Sequence, residues 1–370
     1  MRIVVVGAGI IGTCVAYALA VSGAEVVLVE AGTPGGAASA TSYAWLNSNS
    51  FEDPAYHALR VLGMSAYRDL AAELGTGDWL HQTGSVHVAL RGSEAETLRA
   101  RVARKQAVGY PAELLTLAEA ARLEPALRRF PAEPAAVAYY SSEGYVDTTS
   151  LIGDLLVAFG AAGGAFVRSR AEALLTDGTG MAAGVRTSNG DLGADRVVLC
   201  TGADTGLPAE AGFRLSARGP IGATVITVPV PVRVSRLIHF PDLTVRPAGG
   251  GRLFLHADDI DQHADADAMR LGDAAAASLM GRARERLRLD EAGFDSAIAE
   301  VRVSYRPYPA DGFPVVGPVP GATGAYLICT HSGVTLAAIL ARLVTREILA
   351  CTDEPMLAPY RPDRALGAMP

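Results

Sequence analysis

The first thirty residues constrain this chain most. Arg2–Val6 is an apolar, β-branched run that stops at a glycine, and Gly7, Gly9 and Gly12 follow at the spacing GxGxxG. Ile10–Ser22 then has helix composition with Gly23 as its stop, and Val26–Glu30 reads as a second strand. In a strand–turn–helix–strand unit the first glycine permits the tight turn. The second lets backbone approach a pyrophosphate, and the third lets helix and strand pack closely. The helix start adds free N–H groups and a positive dipole end for phosphates. Glu30 ends the second strand, about 20 residues on, where a carboxylate accepts from ribose hydroxyls. An acid there disfavours a 2′-phosphate, so the unit suits NAD or FAD better than NADP.

A chain of 370 residues, half of them hydrophobic, has length for two intertwined domains with substantial cores. The net charge of -7 speaks against a nucleic-acid partner and gives no sign of a membrane anchor. Lys105 is the only lysine, so arginine carries nearly all positive charge. Cys14, Cys200, Cys329 and Cys351 are scattered, with no CxxC and no Cys/His cluster. We therefore expect no disulfide framework and no metal site, and a cytoplasmic setting. The opening run is broken by glycines and no signal-peptide pattern follows it. No stretch offers the roughly 20 apolar residues of a membrane span.

The segment from Ala31 to about Ser50 is too long for an ordinary connection, which marks a functional loop. Helices are expected at Pro54–Leu74, Glu94–Ala107, Thr116–Leu123 (with a Thr116/Glu119 capping box), Thr149–Phe159, Ala266–Leu289 and Val334–Leu349. Strands are expected at Val86–Leu90, Val137–Tyr140, Ala165–Leu175, Met181–Thr187, Arg196–Cys200, Ala297–Tyr305 and Ala325–Cys329. From Phe213 to about Leu255 alternation in Ala223–Val228, Arg233–His239 and Arg252–His256 suggests an antiparallel sheet outside the dinucleotide fold. The fold class is thus α/β, α+β overall: a Rossmann-type dinucleotide-binding domain with a second, antiparallel-sheet substrate domain.

Arg306–Gly317 reads RPYPADGFPVVG, Cys329–Leu336 reads CTHSGVTL, and Val197–Asp204 reads VVLCTGAD. In this order, with the N-terminal fingerprint, the chain resembles the D-amino acid oxidase, glycine oxidase and sarcosine oxidase family over nearly its whole length. That resemblance implies an FAD-dependent amine or amino acid oxidase or dehydrogenase. It implies that Gly7, Gly9, Ile11, Gly12 and Glu30 hold the ADP half, that Ala38 and Ser39 wrap the pyrophosphate, and that Ala173 meets the adenine. Thr201 and Gly202 would sit at a strand end against the cofactor, and Gly333, Val334, Thr335 and Leu336 would reach the flavin pyrimidine edge. The resemblance also implies an FAD domain of residues 1–60, 145–212 and 307–370, with 61–144 and 213–306 as the substrate domain.

The chain departs from that family in places. Cys200, Thr201 and Gly202 stand where many members have Ala-Thr-Gly, and the THSG segment is shorter by about two residues. No cysteine lies near Tyr305, where sarcosine-oxidase-like members link their flavin, so noncovalent FAD is expected. The second half has no lysine, so the oxygen-activating lysine of sarcosine-type oxidases is absent; oxygen or another acceptor would close the cycle. Arg306 is the expected substrate clamp, because a guanidinium grips a carboxylate bidentately. His331 is the next candidate, beside the flavin segment. His57, Tyr43, Trp45, Asn47, His239 and Arg246 are weaker candidates for lining the site. Two other classes stay open at this point: an NAD-dependent dehydrogenase on the same N-terminal fold, and a non-catalytic or tRNA-modifying flavoprotein.

Overall fold

A computed structural model describes residues 1–49, 52–128, 136–210, 215, 218–289 and 298–367. Two large sheets organise it. The first has six strands in the order Val315–Pro318, Ala325–Cys329, Arg196–Leu199, Arg2–Val6, Glu25–Glu30 and Ala165–Arg168. All neighbours are parallel except the edge strand Val315–Pro318, which the sequence reading had not assigned. Both faces are covered, which is why the central strands read as unbroken apolar runs. Ile3, Val5, Leu28, Val198 and Ile328 pack with the helices Ile10–Val21, Thr148–Ala161 and Gly333–Ala350. Val4, Val6, Val27, Val29, Val197 and Leu199 belong to a second core shared with the small sheet Ala171–Thr176, Ala182–Thr187 and Gly190–Gly193.

The second sheet has eight strands in the order Ile298–Pro307, Arg218–Thr227, Leu253–His256, Leu243–Pro247, Leu237–Phe240, Ser85–Ala89, Ala136–Tyr140 and Glu113–Leu115. It is antiparallel except where Leu237–Phe240 runs parallel to Ser85–Ala89. Successive side chains alternate between its faces. Val86, Val137, Ala223, Val225, Ile238, Val245 and Leu255 form one apolar core with the helix Asp273–Arg286. His87, His239, Thr244, Arg246, His256 and Arg306 take the alternate positions on the other face. Register carries that face across strands: His87 pairs with His239, His239 with Thr244, and Thr244 with His256.

Helix Pro54–Leu74 starts on an Asp53 cap that accepts from the Tyr56 N–H and stops at Gly75 in the left-handed region. It spans the expected boundary at residue 60 and packs on the last helix. At the crossing a Cβ on Gly63 would stand 2.3 Å from the Thr335 carbonyl oxygen, so only glycine fits. The Thr116/Glu119 capping box is formed.

Four expectations need correction. The strand expected over Ala165–Leu175 is two strands, Ala165–Arg168 on the parallel sheet and Ala171–Thr176 on the small one, parted where the Ser188 N–H donates to the Arg170 carbonyl and the Ser169 and Ser188 hydroxyls meet at 2.8 Å. The helix expected over Ala266–Leu289 begins only at Asp273. Asp265 accepts from the Asp267 and Ala268 N–H groups, turning the chain into a short ladder of Ala264–Asp265 with Arg270–Leu271. The strand expected from Arg233 starts at Leu237, because the Ser235 N–H and hydroxyl go to buried Glu124. The long loop after Glu30 holds a short helix, Ala38–Thr41, and a strand, Trp45–Leu46. The expectations at Ser50, Phe213 and Ala297 lie outside the described residues.

Candidate active site

The glycine turn is built as its spacing requires. Gly7 has φ +99°, and a Cβ there would lie 2.4 Å from the Cys200 carbonyl oxygen. A Cβ on Gly12 would lie 1.8 Å from the Gly7 oxygen. Gly9 faces Ser39, whose hydroxyl accepts from the Ile10 N–H at 3.0 Å. Glu30 is oriented from both sides: Oε2 accepts from Ala8 at 2.8 Å and Oε1 from Gly32 at 2.7 Å. Thr201 and Gly202 follow the strand Arg196–Leu199 beside this turn, with Gly202 in the left-handed region at φ +63°. Ala38 opens the short helix over the turn. Ala173 lies on the strand Ala171–Thr176, shortly after Ser169, whose N–H donates to the Glu30 carbonyl.

Tertiary structure brings the other end of the chain to this place. Ile11 Cδ1 would stand 3.3 Å from a Cβ on Gly333, so the starts of the first and last long helices converge. Thr335 Oγ1 donates to the Trp45 carbonyl at 3.0 Å and Tyr67 donates to the Val334 carbonyl. The loop after Glu30 is thereby held against the segment Gly333–Leu336. The same loop lies over the polar face of the large sheet. Arg246 Nε donates to the Tyr43 carbonyl at 2.8 Å, the Tyr43 ring stacks on His256 at 5.1 Å, and Trp45 meets His239 at 4.2 Å.

Arg306 reaches this face near the end of its strand. Its Nη2 donates to Asp261 Oδ2 at 2.6 Å and lies 2.7 Å from His256 Nε2. An arginine only donates, so His256 accepts through Nε2 and carries its proton on Nδ1. Both Nη2 hydrogens are thus committed, whereas Nη1 makes no hydrogen bond among the described residues and lies 3.9 Å from Oδ1 of the exposed Asp258. A Cβ on Gly222 would lie 2.8 Å from Arg306 Nε, so this glycine lets the guanidinium lie across the sheet. His256, Asp258 and Asp261 are close enough to gather a cation, but the guanidinium already supplies the positive charge there. His331 packs on Tyr308 at 4.6 Å; burial and then the charges of Arg306 and Arg60 hold its pKa below the usual range. Burial pushes His239 down to about 3, and it holds His87 well below its ordinary value.

The remaining candidates brace the site. His57 lies 2.7 Å from the Ser48 hydroxyl, and Asn47 accepts from Arg60. Trp45 Nε1 donates to Glu143 at 2.8 Å. That buried carboxylate also accepts from Ser85, Tyr110 and Lys105 Nζ. Lys105 itself lies over the Tyr110 and Tyr140 rings. Sequence reasoning missed Arg60, His87, Lys105, Glu143, His256 and Asp261 as parts of this arrangement. Alternation carried a signal for two of them: it placed His87 in Val86–Leu90 and His256 in Arg252–His256 opposite the apolar face.

A glycine turn with an acid fixed at its rim, a second helix start beside it and a polar sheet face form the geometry of a dinucleotide-dependent oxidoreductase. The chain belongs to the family described as FAD dependent oxidoreductase, whose pattern matches residues 2–347. It is 26% identical to the glycine oxidase of Geobacillus kaustophilus, covering 99% of this chain and 97% of that one. It is 28% identical to the glycine oxidase of Pseudomonas putida, covering 99% of each. The crystal structure of the Geobacillus kaustophilus enzyme superposes with a TM-score of 0.82 at 23% identity, over 97% of this chain and 98% of that one. An iminodiacetate oxidase from Chelativorans superposes with a TM-score of 0.82 at 21% identity, over 98% and 99%. The NAD-dependent and non-catalytic alternatives fall with this membership: the chain is an FAD-dependent oxidoreductase. No described helix is long and apolar enough to cross a membrane.

Proposed function

We propose that the enzyme oxidises the carbon–nitrogen bond of a small amine or amino acid, using noncovalently held FAD. The observation that carries this reading is the convergence of the two helix starts at Ile11 and Gly333 beneath the loop that faces Arg306. The turn fits the cofactor: Gly7 and Gly12 leave no room for a Cβ, and Glu30 is held in place by backbone donors. In this reading Gly7, Gly9, Ile11, Gly12 and Glu30 hold the ADP half. Ala38 and Ser39 cover the pyrophosphate, Ala173 meets the adenine, and Thr201 and Gly202 close the strand end. Gly333, Val334, Thr335 and Leu336 present N–H groups to the pyrimidine edge.

Bound FAD supplies the acceptor for a hydride from the carbon bearing nitrogen. The nitrogen gives its proton to solvent, a C=N bond forms, and water then adds to release a carbonyl compound and an amine. Arg306 orients a substrate carboxylate through its Nη1 end, and Asp261 and His256 fix the guanidinium plane. His331, held neutral, lines the site without competing charge. The substrate must present a neutral amine, so turnover rises with pH through the amine pKa. Oxygen or another acceptor takes the electrons afterwards.

The test is anaerobic bleaching of the purified yellow protein against glycine, sarcosine, proline and larger secondary amines. At least one should bleach the flavin absorbance. Silence across the panel overturns the reaction. Acid precipitation should leave the flavin in the supernatant; flavin in the pellet contradicts noncovalent binding.

A further inference from the structure

Two buried arginines, Arg60 and Arg246, have only neutral partners among the described residues; Arg246 donates to the Tyr43 and Pro247 carbonyls on the large sheet, whereas Arg60 lies at the start of the last helix. Arg60, on the helix Pro54–Leu74, is 7% exposed. Its Nε donates to the Asn47 carbonyl at 3.0 Å, its Nη2 to Asn47 Oδ1, and its Nη1 to Ser332 Oγ at 2.6 Å. The Tyr56 hydroxyl at 3.4 Å and the Tyr56 ring complete its surroundings. Every one of these partners is neutral. Among the described residues no carboxylate lies within 4.0 Å of this guanidinium, whereas Arg306 and Arg361 each have a buried acid at hydrogen-bond distance.

The place makes the uncompensated charge costly. Ser332 directly precedes the helix Gly333–Ala350, whose first N–H groups have no partner inside the helix and whose start carries partial positive charge. A buried cation beside a positive helix end is repelled, and burial removes the water that would screen it. Ser332 Oγ accepts from both Arg60 and the Tyr56 hydroxyl, at 2.6 and 2.9 Å, so its own hydrogen is left to donate elsewhere. A cation, a helix end and a hydroxyl donor converge, and only an electron-rich or anionic group relieves all three. Neither Arg306, already compensated by Asp261, nor Lys105, compensated by Glu143, supplies such an imbalance.

We propose that Arg60 sets the electron affinity of the bound flavin, stabilising the negative charge that the pyrimidine ring gains when it accepts hydride. This rests on the reading that Gly333–Leu336 meet the pyrimidine edge. Arg60 is a positioning residue in this role: it acts through Ser332 and through its field, without contact to the substrate. Its removal leaves the ADP-binding turn intact, so cofactor binding and electron affinity separate.

The experiment uses the FAD holoenzyme and the variants Arg60→Met, Arg60→Gln and Arg60→Lys. Sulfite, which adds to oxidised flavin and leaves it negatively charged, is titrated into each, and the two-electron midpoint potential is measured. Arg60→Met and Arg60→Gln should bind sulfite at least tenfold more weakly. A tenfold change corresponds to about 30 mV in a two-electron potential, here downward. Arg60→Lys should stay within about threefold of the parent, because it keeps the charge. Arg60→Gln retains an amide donor and decides the matter if Arg60→Met does not fold. Parent-like sulfite affinity and potential in FAD-loaded Arg60→Gln overturn the proposal and leave Arg60 as a brace for Asn47. A holoenzyme crystal structure separates the two failures. A flavin ring away from Ser332–Leu336 defeats the underlying reading, whereas a ring there with an unchanged potential defeats only the role of Arg60.

Discussion

Arg306 shows how much of an arginine's chemistry is decided by its neighbours. Its two Nη2 hydrogens are spent on Asp261 and His256, so in the proposed role it would meet a substrate with the Nη1 end, 3.9 Å from Asp258 Oδ1, rather than with a free fork. Arg306→Ala removes a charge-assisted contact worth about 1.5–3 kcal/mol, roughly ten- to hundredfold in kcat/KM for substrates with a carboxylate. Gly222→Ala should act in the same direction and more weakly, since its Cβ would meet Arg306 Nε at 2.8 Å and push the guanidinium aside. FAD content and melting temperature should hold in Gly222→Ala. An unchanged kcat/KM across carboxylate substrates in both variants removes Arg306 from substrate binding. Residue identity made Arg306 visible in the sequence; the commitment of its hydrogens was not, because Asp261 and His256 lie 45 and 50 positions away.

At the scale of elements, the Lys105–Glu143 pair ties the helix Gly92–Ala107 to the loop carrying Trp45. Glu143 takes donors from Lys105, Tyr110, Ser85 and Trp45, which belong to four different segments. Burial pulls the Lys105 pKa down while Glu143 opposes that shift. Removing one partner strands the other as an uncompensated buried charge. Lys105→Met should therefore destabilise the fold by about 3–5 kcal/mol in urea unfolding. Lys105→Met combined with Glu143→Gln should lose less than the single Lys105 variant, because no bare carboxylate remains. A double variant at least as unstable as Lys105→Met would mean that the Glu143 hydrogen bonds, and not the charge pair, hold these elements. The chain's only lysine thus has a structural task.

For the whole molecule, the division into 1–60, 145–212 and 307–370 against 61–144 and 213–306 stays our proposal, supported by how the two large sheets draw on the chain. The polar face of the second sheet has a consequence for acid stability. His87 and His239 are held neutral by burial, with His239 near 3 against about 6.5 in an unfolded chain. Between those values the unfolded state binds more protons, so stability is full above about pH 6.5 and falls as pH drops toward 3. His239→Gln should flatten that decline in melting temperature between pH 7 and 4. A variant with the parent's slope would show that His239 protonates as readily folded as unfolded.

Glycine sterics and strand alternation are local, so the sequence alone determined the N-terminal βαβ unit, the Gly7/Gly9/Gly12 turn with Glu30, and the helices capped at Asp53 and Thr116. The strands, helices and caps depend on dihedrals and hydrogen bonds within a few turns of chain, whereas the Cys200 carbonyl oxygen that leaves Gly7 no room for a Cβ is brought in by the sheet. The hairpin before Asp273 escaped because Asp265 competes locally for backbone N–H groups that a helical pattern would have used. What brings Ile11 to Gly333, Trp45 to Glu143 and Arg60 to Ser332 is the order of strands in two sheets and the crossing of two helices at Gly63. Such partners lie as far as 322 positions apart, from Ile11 to Gly333, and composition carries no trace of them. Only tertiary packing decides which buried charge finds a carboxylate and which, like Arg60, is left to act on whatever binds beside it.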